Sequence, residues 1–257
     1  MKREGTVPEV EFDGVTKRYG NGHAVLEAVN LTILKGEFVS IIGPSGCGKS
    51  TVLKLISGLT MPSVGTIRVD GMTPENARET VSYIFQDATL LPWRTVRQNV
   101  SLALELEGAS RHRREEKTRA LLDLVGLGAV AGAYPRELSG GMKMRVSIAR
   151  ALATNPRLLL MDEPFAALDE MSRDRLNEEV LRLRAEQKWT AVFVTHSVAE
   201  AVFLSTRIVV MSPNPGRLYS VLSVELPQPR NAELRTAPAY EELVGRVSHT
   251  LREARAQ

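Results

Sequence analysis

With 257 residues, 43% of them hydrophobic and 25% charged, the chain has the composition of an ordinary globular protein, large enough to bury about 70–75% of its unfolded surface. A net charge of +3, with aromatics at 5% that do not interleave with basic residues, argues against a nucleic-acid partner, and the densest charge run, "RHRREEKTR" at 111–119, mixes both signs as a solvated helix face does. The single cysteine, Cys47, excludes an intrachain disulfide and favours a reducing compartment. The opening "MKREGTVPEVEFDG" has no leader pattern, and runs such as "LLLM" (158–161) and "IVVM" (208–211) fall far short of the roughly 18 residues of a membrane span, so a soluble chain is expected.

Short β-type runs open the chain: "VEFDGVTKRYG", "VLEAVNLTIL", "GEFVSIIG" and "GTIRVDG". Their alternation and glycine punctuation predict antiparallel strands around a first parallel strand at 38–42. "KSTVLKLISGL" (49–59) follows with helical spacing, its apolar face formed by Val52, Leu53, Leu55 and Ile56. A mainly helical block runs from about Val96 to Ala153 and ends in the helix after "LSGG". From Arg157 the pattern returns to strands and helices: "RLLLMDEP", a helix over 172–188, "TAVFVTH", a helix over 197–204, and "RIVVMS". Such alternation predicts an α/β fold with a parallel sheet covered on both faces and the helical block inserted into it. The stretch from Pro213 to Pro229 is rich in Pro and Gly, and a last helix is predicted over about 238–256.

"GPSGCGKST" at 43–51 fits the phosphate-loop pattern, with Gly43, Gly48, Lys49 and Ser50 at the required spacing between an apolar strand and an amphipathic helix. Its span of Gly43, Pro44, Ser45, Gly46, Cys47 and Gly48 lets backbone N–H groups converge on phosphates at a helix N-terminus. Lys49 is expected to reach the β- and γ-phosphates and Ser50 to ligate Mg²⁺. Cys47 reads as a small tolerated residue, with a redox switch as the competing reading. "RLLLMDEP" delivers Asp162 to the C-terminal edge of the sheet, where such sheets bind ligands, as a holder of Mg²⁺. Glu163 is the candidate to polarise the attacking water, against a role as helix cap or surface acid. His196 in "VTHS" leaves the same edge and is expected to touch the γ-phosphate, although a histidine after a strand is by itself more often structural. Gln86 closes another β-type run, where it joins Mg²⁺ or water to the helical block. A second anion site is predicted where Ser139, Gly140 and Gly141 open the helix from Met142.

In this order the motifs resemble the ATPase subunit of ATP-binding cassette (ABC) transporters over about residues 8–225. The resemblance implies a P-loop NTPase (RecA-like) core, an antiparallel β lobe and an inserted α-helical signature lobe at about 88–155, followed by a short extension at 226–257 ending in a helix. It identifies "LSGGM" as the signature loop, which in that family closes over ATP held by a second copy or a homologous subunit paired head to tail. It also implies that Tyr19 stacks on adenine, that Thr51 contacts the α-phosphate, and that Asp169 lies in the loop crossing the dimer interface. Met142 stands where the family often has Gln. Since the chain contains no span, the resemblance implies separate permease subunits contacting "LLPWRTVRQNV" (Leu90–Val100), with Pro92 and Trp93 as an exposed apolar handle, against Trp93 as core of the helical lobe. Together with "GGMKMRVSIARAL" (140–152) and "SPNPGR" (212–217), this phrase resembles ATPases of the nitrate, sulfonate and taurine import group, which implies a place on the cytoplasmic face of the inner membrane and a solute-binding protein among the indirect partners. A DNA-repair or chromosome-organising ATPase is disfavoured because only about 50 residues separate Gln86 from Leu138, without heptads or a Cys cluster. A fused pair of cassettes would need a second phosphate loop, and a small-molecule kinase needs neither the signature loop nor His196.

Overall fold

The computed structural model describes residues 7–20, 22–166 and 168–256. Residues 1–6, the first part of the opening "MKREGTVPEVEFDG", lie outside them. Strands β1 (Pro8–Arg18), β2 (Ala24–Leu34) and β3 (Phe38–Ile42) lead into helix α1 (Lys49–Ile56), followed by β4 (Val64–Val69) and β5 (Val81–Ile84). Helices α2 (Val96–Leu106), α3 (Arg111–Leu124) and α4 (Gly140–Leu152) come next. The chain continues through β6 (Leu158–Asp162), α5 (Glu170–Gln187), β7 (Thr190–Val194), α6 (Val198–Leu204), β8 (Arg207–Ser212), β9 (Arg217–Ser223) and α7 (Pro238–Arg255).

The strands form two sheets. β2, β1 and β4 lie side by side and antiparallel, and the larger sheet has the order β5-β6-β7-β3-β8-β9. Five of its six strands run parallel, while β9 pairs antiparallel with β8 and makes the sheet mixed. The expected parallel sheet is found over five strands, and β9 adds an antiparallel edge that the sequence pattern did not announce. "RLYSVLS" lies inside the Pro- and Gly-rich stretch, and its half-buried, half-exposed residues are those of an edge strand rather than a continuous apolar run.

Residues on the central strands alternate between two cores. Phe38, Ile42, Leu159, Met161 and Phe193 join the core beneath α2 to α7, whereas Val39, Ile41, Leu158, Leu160 and Val194 join the core shared with α1 and the antiparallel sheet. Burial on both faces explains why these strands read as unbroken apolar stretches. Helix ends depart from the periodicity for local reasons. α1 stops at Ile56 because Gly58 turns into the left-handed region (φ +67°) against the backbone of Pro74 and Glu75. α5 starts at Glu170, two residues earlier than expected, because the Asp169 carboxylate accepts the Ser172 N–H at 2.9 Å and supplies an N-cap.

Candidate functional site

Register brings the predicted motifs to one edge. Ile41 of β3 and Asp162 of β6 both pair with Val194 of β7, and Ile84 of β5 pairs with Met161. The phosphate loop, Gln86, Asp162 with Glu163, and His196 therefore leave the sheet from the C-terminal ends of adjacent strands, where ligands bind in sheets of this kind. Gln86 is exposed there, two residues past the end of β5.

The phosphate loop is shaped by what packs behind it. Gly48 is the N-cap of α1 at φ +92°, and a Cβ on it would fall 2.5 Å from Leu26 Cδ2 of β2, so only glycine fits. A Cβ on Gly43 would meet Cys47 Sγ at 2.7 Å. Ser45 and Gly46 are exposed, Pro44 and Thr51 half-buried. No side chain caps α1, and its first N–H groups are left for an anion. The buried Lys49 ammonium donates to the carbonyls of Gly43 and Pro44, each at 3.0 Å. Cys47 is fully buried in the core and burial pushes its thiol up, which removes the case for a redox switch.

The Ser50 hydroxyl donates to Asp162 Oδ1 at 2.9 Å. Tyr83, which sequence reasoning missed, donates its hydroxyl to Asp162 Oδ2 at 3.3 Å, and burial, reinforced by the Asp162 charge, raises its pKa. Its only signal was its place in a β-type run, and the partner strand was not legible. Glu163 takes a left-handed backbone (φ +50°) while its N–H still donates to Val194 O at 2.9 Å. Such a residue costs about 1–3 kcal/mol and gathers at functional sites. It swings the carboxylate to 2.8 Å from His196 Nε2. The helix cap here is Asp169 rather than Glu163, and the Glu163 side chain is 16% exposed, so neither a cap nor a surface acid describes Glu163. A cleft of about 340 Å³ opens beside them, walled also by Arg173, Thr195 and Glu200.

The signature residues stand apart. Ser139 and Gly140 are exposed and Gly141 half-buried at the start of α4, which packs on α2, α3 and β5 while α1 packs on β4, β6 and β7. No hydrogen bond joins this turn to the phosphate loop among the described residues. Ser139 Oγ accepts the Met142 N–H at 3.3 Å, and its own proton is left to donate outward. Arg145 of α4 donates to Ser172 Oγ at 2.9 Å, tying this helix to the Asp169 turn, where the Ser172 N–H holds the exposed Asp169 carboxylate below its usual range. Tyr19 is 47% exposed at the end of the antiparallel lobe, its ring 4.7 Å from Lys17 Nζ.

Trp93 is 71% exposed and so is not core of the helical lobe. Asn99, buried and also missed, orders the loop before it. It accepts the Leu91 N–H at 2.8 Å and donates to the carbonyls of Leu91, Arg94 and Thr95.

Among known proteins, the ABC transporter family model matches residues 26–166. The chain is 41% identical to the aliphatic sulfonates import ATP-binding protein of Bacillus cereus, over 93% of this chain and 94% of that one. It is 45% identical to the nitrate import ATP-binding protein of Synechococcus elongatus, over 92% of this chain and 36% of that longer one. Among solved structures, a dimeric ATP-binding cassette in a post-hydrolysis state bound to ADP and Pi superposes with a TM-score of 0.78 at 34% identity, covering 84% of this chain and 99% of that one.

Proposed function

The chain belongs to the ABC transporter family, and we propose that it is the ATP-hydrolysing subunit of an importer whose cargo is a small oxyanion such as an aliphatic sulfonate, taurine or nitrate. The observation that carries the chemistry is the pair of adjacent acids at the end of β6. Asp162 is bonded to Ser50 of the phosphate loop, and Glu163 is turned by a left-handed backbone onto His196.

ATP hydrolysis in this site is divided among the residues as follows. The N–H groups of the loop and of the α1 N-terminus cradle the phosphates, and Lys49 adds a positive charge beside them. Thr51 serves the α-phosphate and Tyr19 the adenine face. The Glu163 carboxylate accepts a proton from the attacking water, and His196 contacts the γ-phosphate from beside it. Ser50, Asp162 and Gln86 supply hard oxygen donors that fit Mg²⁺, which when bound neutralises charge on the phosphate oxygens. Among the described residues no cluster of three or more His, Cys, Asp or Glu side chains occurs, and Mg²⁺ needs none, because it takes substrate and water oxygens.

Two copies, or this chain and a homologous subunit, pair head to tail so that Ser139, Gly140, Gly141 and Asp169 of one complete the site of the other. The exposed signature turn, unbonded to its own phosphate loop, supports this reading. No helix among the described residues is long and apolar enough to cross a membrane, and we assign the channel to separate permease subunits that dock on Leu90–Val100 at the cytoplasmic face. The ATPase unit is taken as 8–225, with 226–257 as an extension.

The test is growth of a strain lacking this chain on single sources of sulfur or nitrogen: alkanesulfonate, taurine or nitrate. Loss of growth on one compound, restored by the wild type but not by Glu163→Gln, is the expected result. Normal growth on all three would remove the cargo class.

A further inference from the structure

Helix α6 begins two residues after His196 and is only seven residues long, so whatever holds it sets where the histidine sits. Its N-terminal end is held from within. Thr195 Oγ1 accepts the Ser197 N–H at 3.0 Å and donates to Glu200 Oε2 at 2.5 Å. Glu200 Oε1 also faces Arg173 Nε at 3.3 Å.

The rest of α6 is held by the C-terminal segment. Arg230 is buried, and its Nη1 donates to three carbonyls at the end of α6: Phe203 at 2.7 Å, Ser205 at 2.8 Å and Val202 at 3.3 Å. These are the carbonyls a helix leaves unsatisfied at its C-terminus, where a cation is also favoured by the dipole. Tyr240 of α7 donates its hydroxyl to Ala199 O at 2.9 Å, in the first turn. Arg235 lies 3.8 Å from the centre of the Phe203 ring and pairs with Asp174 of α5 at 2.9 Å. Three side chains within eleven residues thus grip both ends and the flank of one short helix. A buried guanidinium with no carboxylate partner among the described residues is costly to place, and burial lowers its pKa to about 10. Its Nη1 is spent on α6.

We propose that the segment from Arg230 to Tyr240 is a clamp that fixes α6, and with it His196, for hydrolysis, so that Arg230 and Tyr240 are positioning residues of the ATPase site. This rests on the reading of His196 given above. The clamp lies outside the phosphate loop and the Tyr19 lobe, so it bears on turnover and not on ATP binding.

The test is steady-state ATPase activity of full-length variants, with ATP affinity measured separately. Arg230→Met is expected to lower kcat about 10-fold with KM for ATP within about twofold, a fraction of the ~100-fold that a 1 Å misplacement can cost. Arg230→Lys, which keeps a cation and donors, recovers most of the loss. Tyr240→Phe removes one hydrogen bond without opening a cavity, lowers kcat by a smaller factor, and keeps the test alive if Arg230→Met does not fold. The deciding measurement is the double variant with His196→Ala: if the clamp acts through His196, adding Arg230→Met or Tyr240→Phe to His196→Ala costs nothing more. Losses that multiply, or a rise in KM equal to the fall in kcat, would overturn the proposal. If His196→Ala itself leaves kcat unchanged, the reading of His196 falls; if it abolishes turnover while the clamp variants do not alter kcat, only the clamp falls.

Discussion

Gly216 sits 169 residues from Cys47 of the phosphate loop in sequence and against it in space. A Cβ built on it would lie 1.9 Å from Cys47 O and 3.0 Å from Val25 O. Real Cβ contacts essentially never fall below 3.0 Å, so Gly216→Ala requires something to move by at least 1.1 Å, the difference between 3.0 and 1.9 Å. The glycine is the better anchored partner. Its N–H donates to Val25 O at 2.9 Å, its carbonyl accepts the Glu27 N–H at 3.0 Å, and the next residue, Arg217, pairs with Glu27. Cys47 is held by a long 3.4 Å bond from its N–H to Pro44 O, and neighbouring Gly46 has open space around it. The displacement therefore enters the phosphate loop. Overpacking of this kind costs about 1–3 kcal/mol, and charged wholly to nucleotide binding this is about 5- to 150-fold in affinity. Equilibrium titration with a fluorescent ATP analogue, beside a thermal melt, reads both quantities. Gly132→Ala, where a Cβ meets nothing within 4 Å, is the control. A Gly216→Ala protein that binds ATP with wild-type affinity would refute the reasoning, whether or not its Tm falls.

Lys49→Ala is expected to weaken ATP binding by at least tenfold, whereas Ser139→Arg leaves binding to the monomer intact and stops hydrolysis. Equal loss of binding in both would refute the assignment of the signature turn to the opposite subunit. Trp93→Ser is expected to leave ATP affinity and Tm near wild type, because the ring is exposed, while lowering transport-coupled ATPase activity several-fold in the assembled complex; unchanged coupling would remove Trp93 from the docking surface. Asp70 joins Lys35 at 2.5 Å and Arg157 at 3.2 Å, and the Lys35 hydrogen bond holds its carboxyl below the ordinary 3.8. A depressed carboxyl contributes stability above its ordinary pKa that is lost as pH falls through the folded value. Asp70→Asn is thus expected to melt slightly lower than wild type at neutral pH, with the gap closing below about pH 3.8; a gap that widens in acid contradicts the sign.

What was legible in the sequence was local. β3 is found at 38–42 as expected, because a strand buried on both faces must be apolar throughout, and the phosphate loop declares itself because its ligand is read by backbone and by residues a few positions apart. β9 was not legible: as an edge strand flanked by prolines it lacks both the apolar run and the strict alternation. Tyr83, Asn99 and Gly216 were missed for a different reason. Each owes its role to a partner on a separate stretch of chain, Asp162, the Leu91–Thr95 loop and Cys47 respectively. The pairing of Glu163 with His196 lies between these cases. Both residues could be placed at the sheet edge from their strands, but the left-handed turn at Glu163 that closes them to 2.8 Å is a backbone property no side-chain pattern announces.

The segment before the loop carrying Trp93 is also braced against α4. Arg150, near the C-terminal end of α4, donates to Ala88 O at 3.1 Å, to Thr89 O at 3.0 Å and to Thr89 Oγ1 at 3.1 Å. Those residues lie between Gln86 at the sheet edge and the Leu91–Thr95 loop that Asn99 orders. The first N–H groups of the same helix lie behind Ser139 and Gly140. A helix of 13 residues spans about 20 Å, so one element joins the loop that presents Trp93 to the exposed turn at Ser139 and Gly140. Partial burial lowers the pKa of that guanidinium, and hydrogen bonds from a charged group contribute about 1.5–3 kcal/mol. The bonds therefore hold the Ala88–Thr89 segment to the C-terminal end of α4.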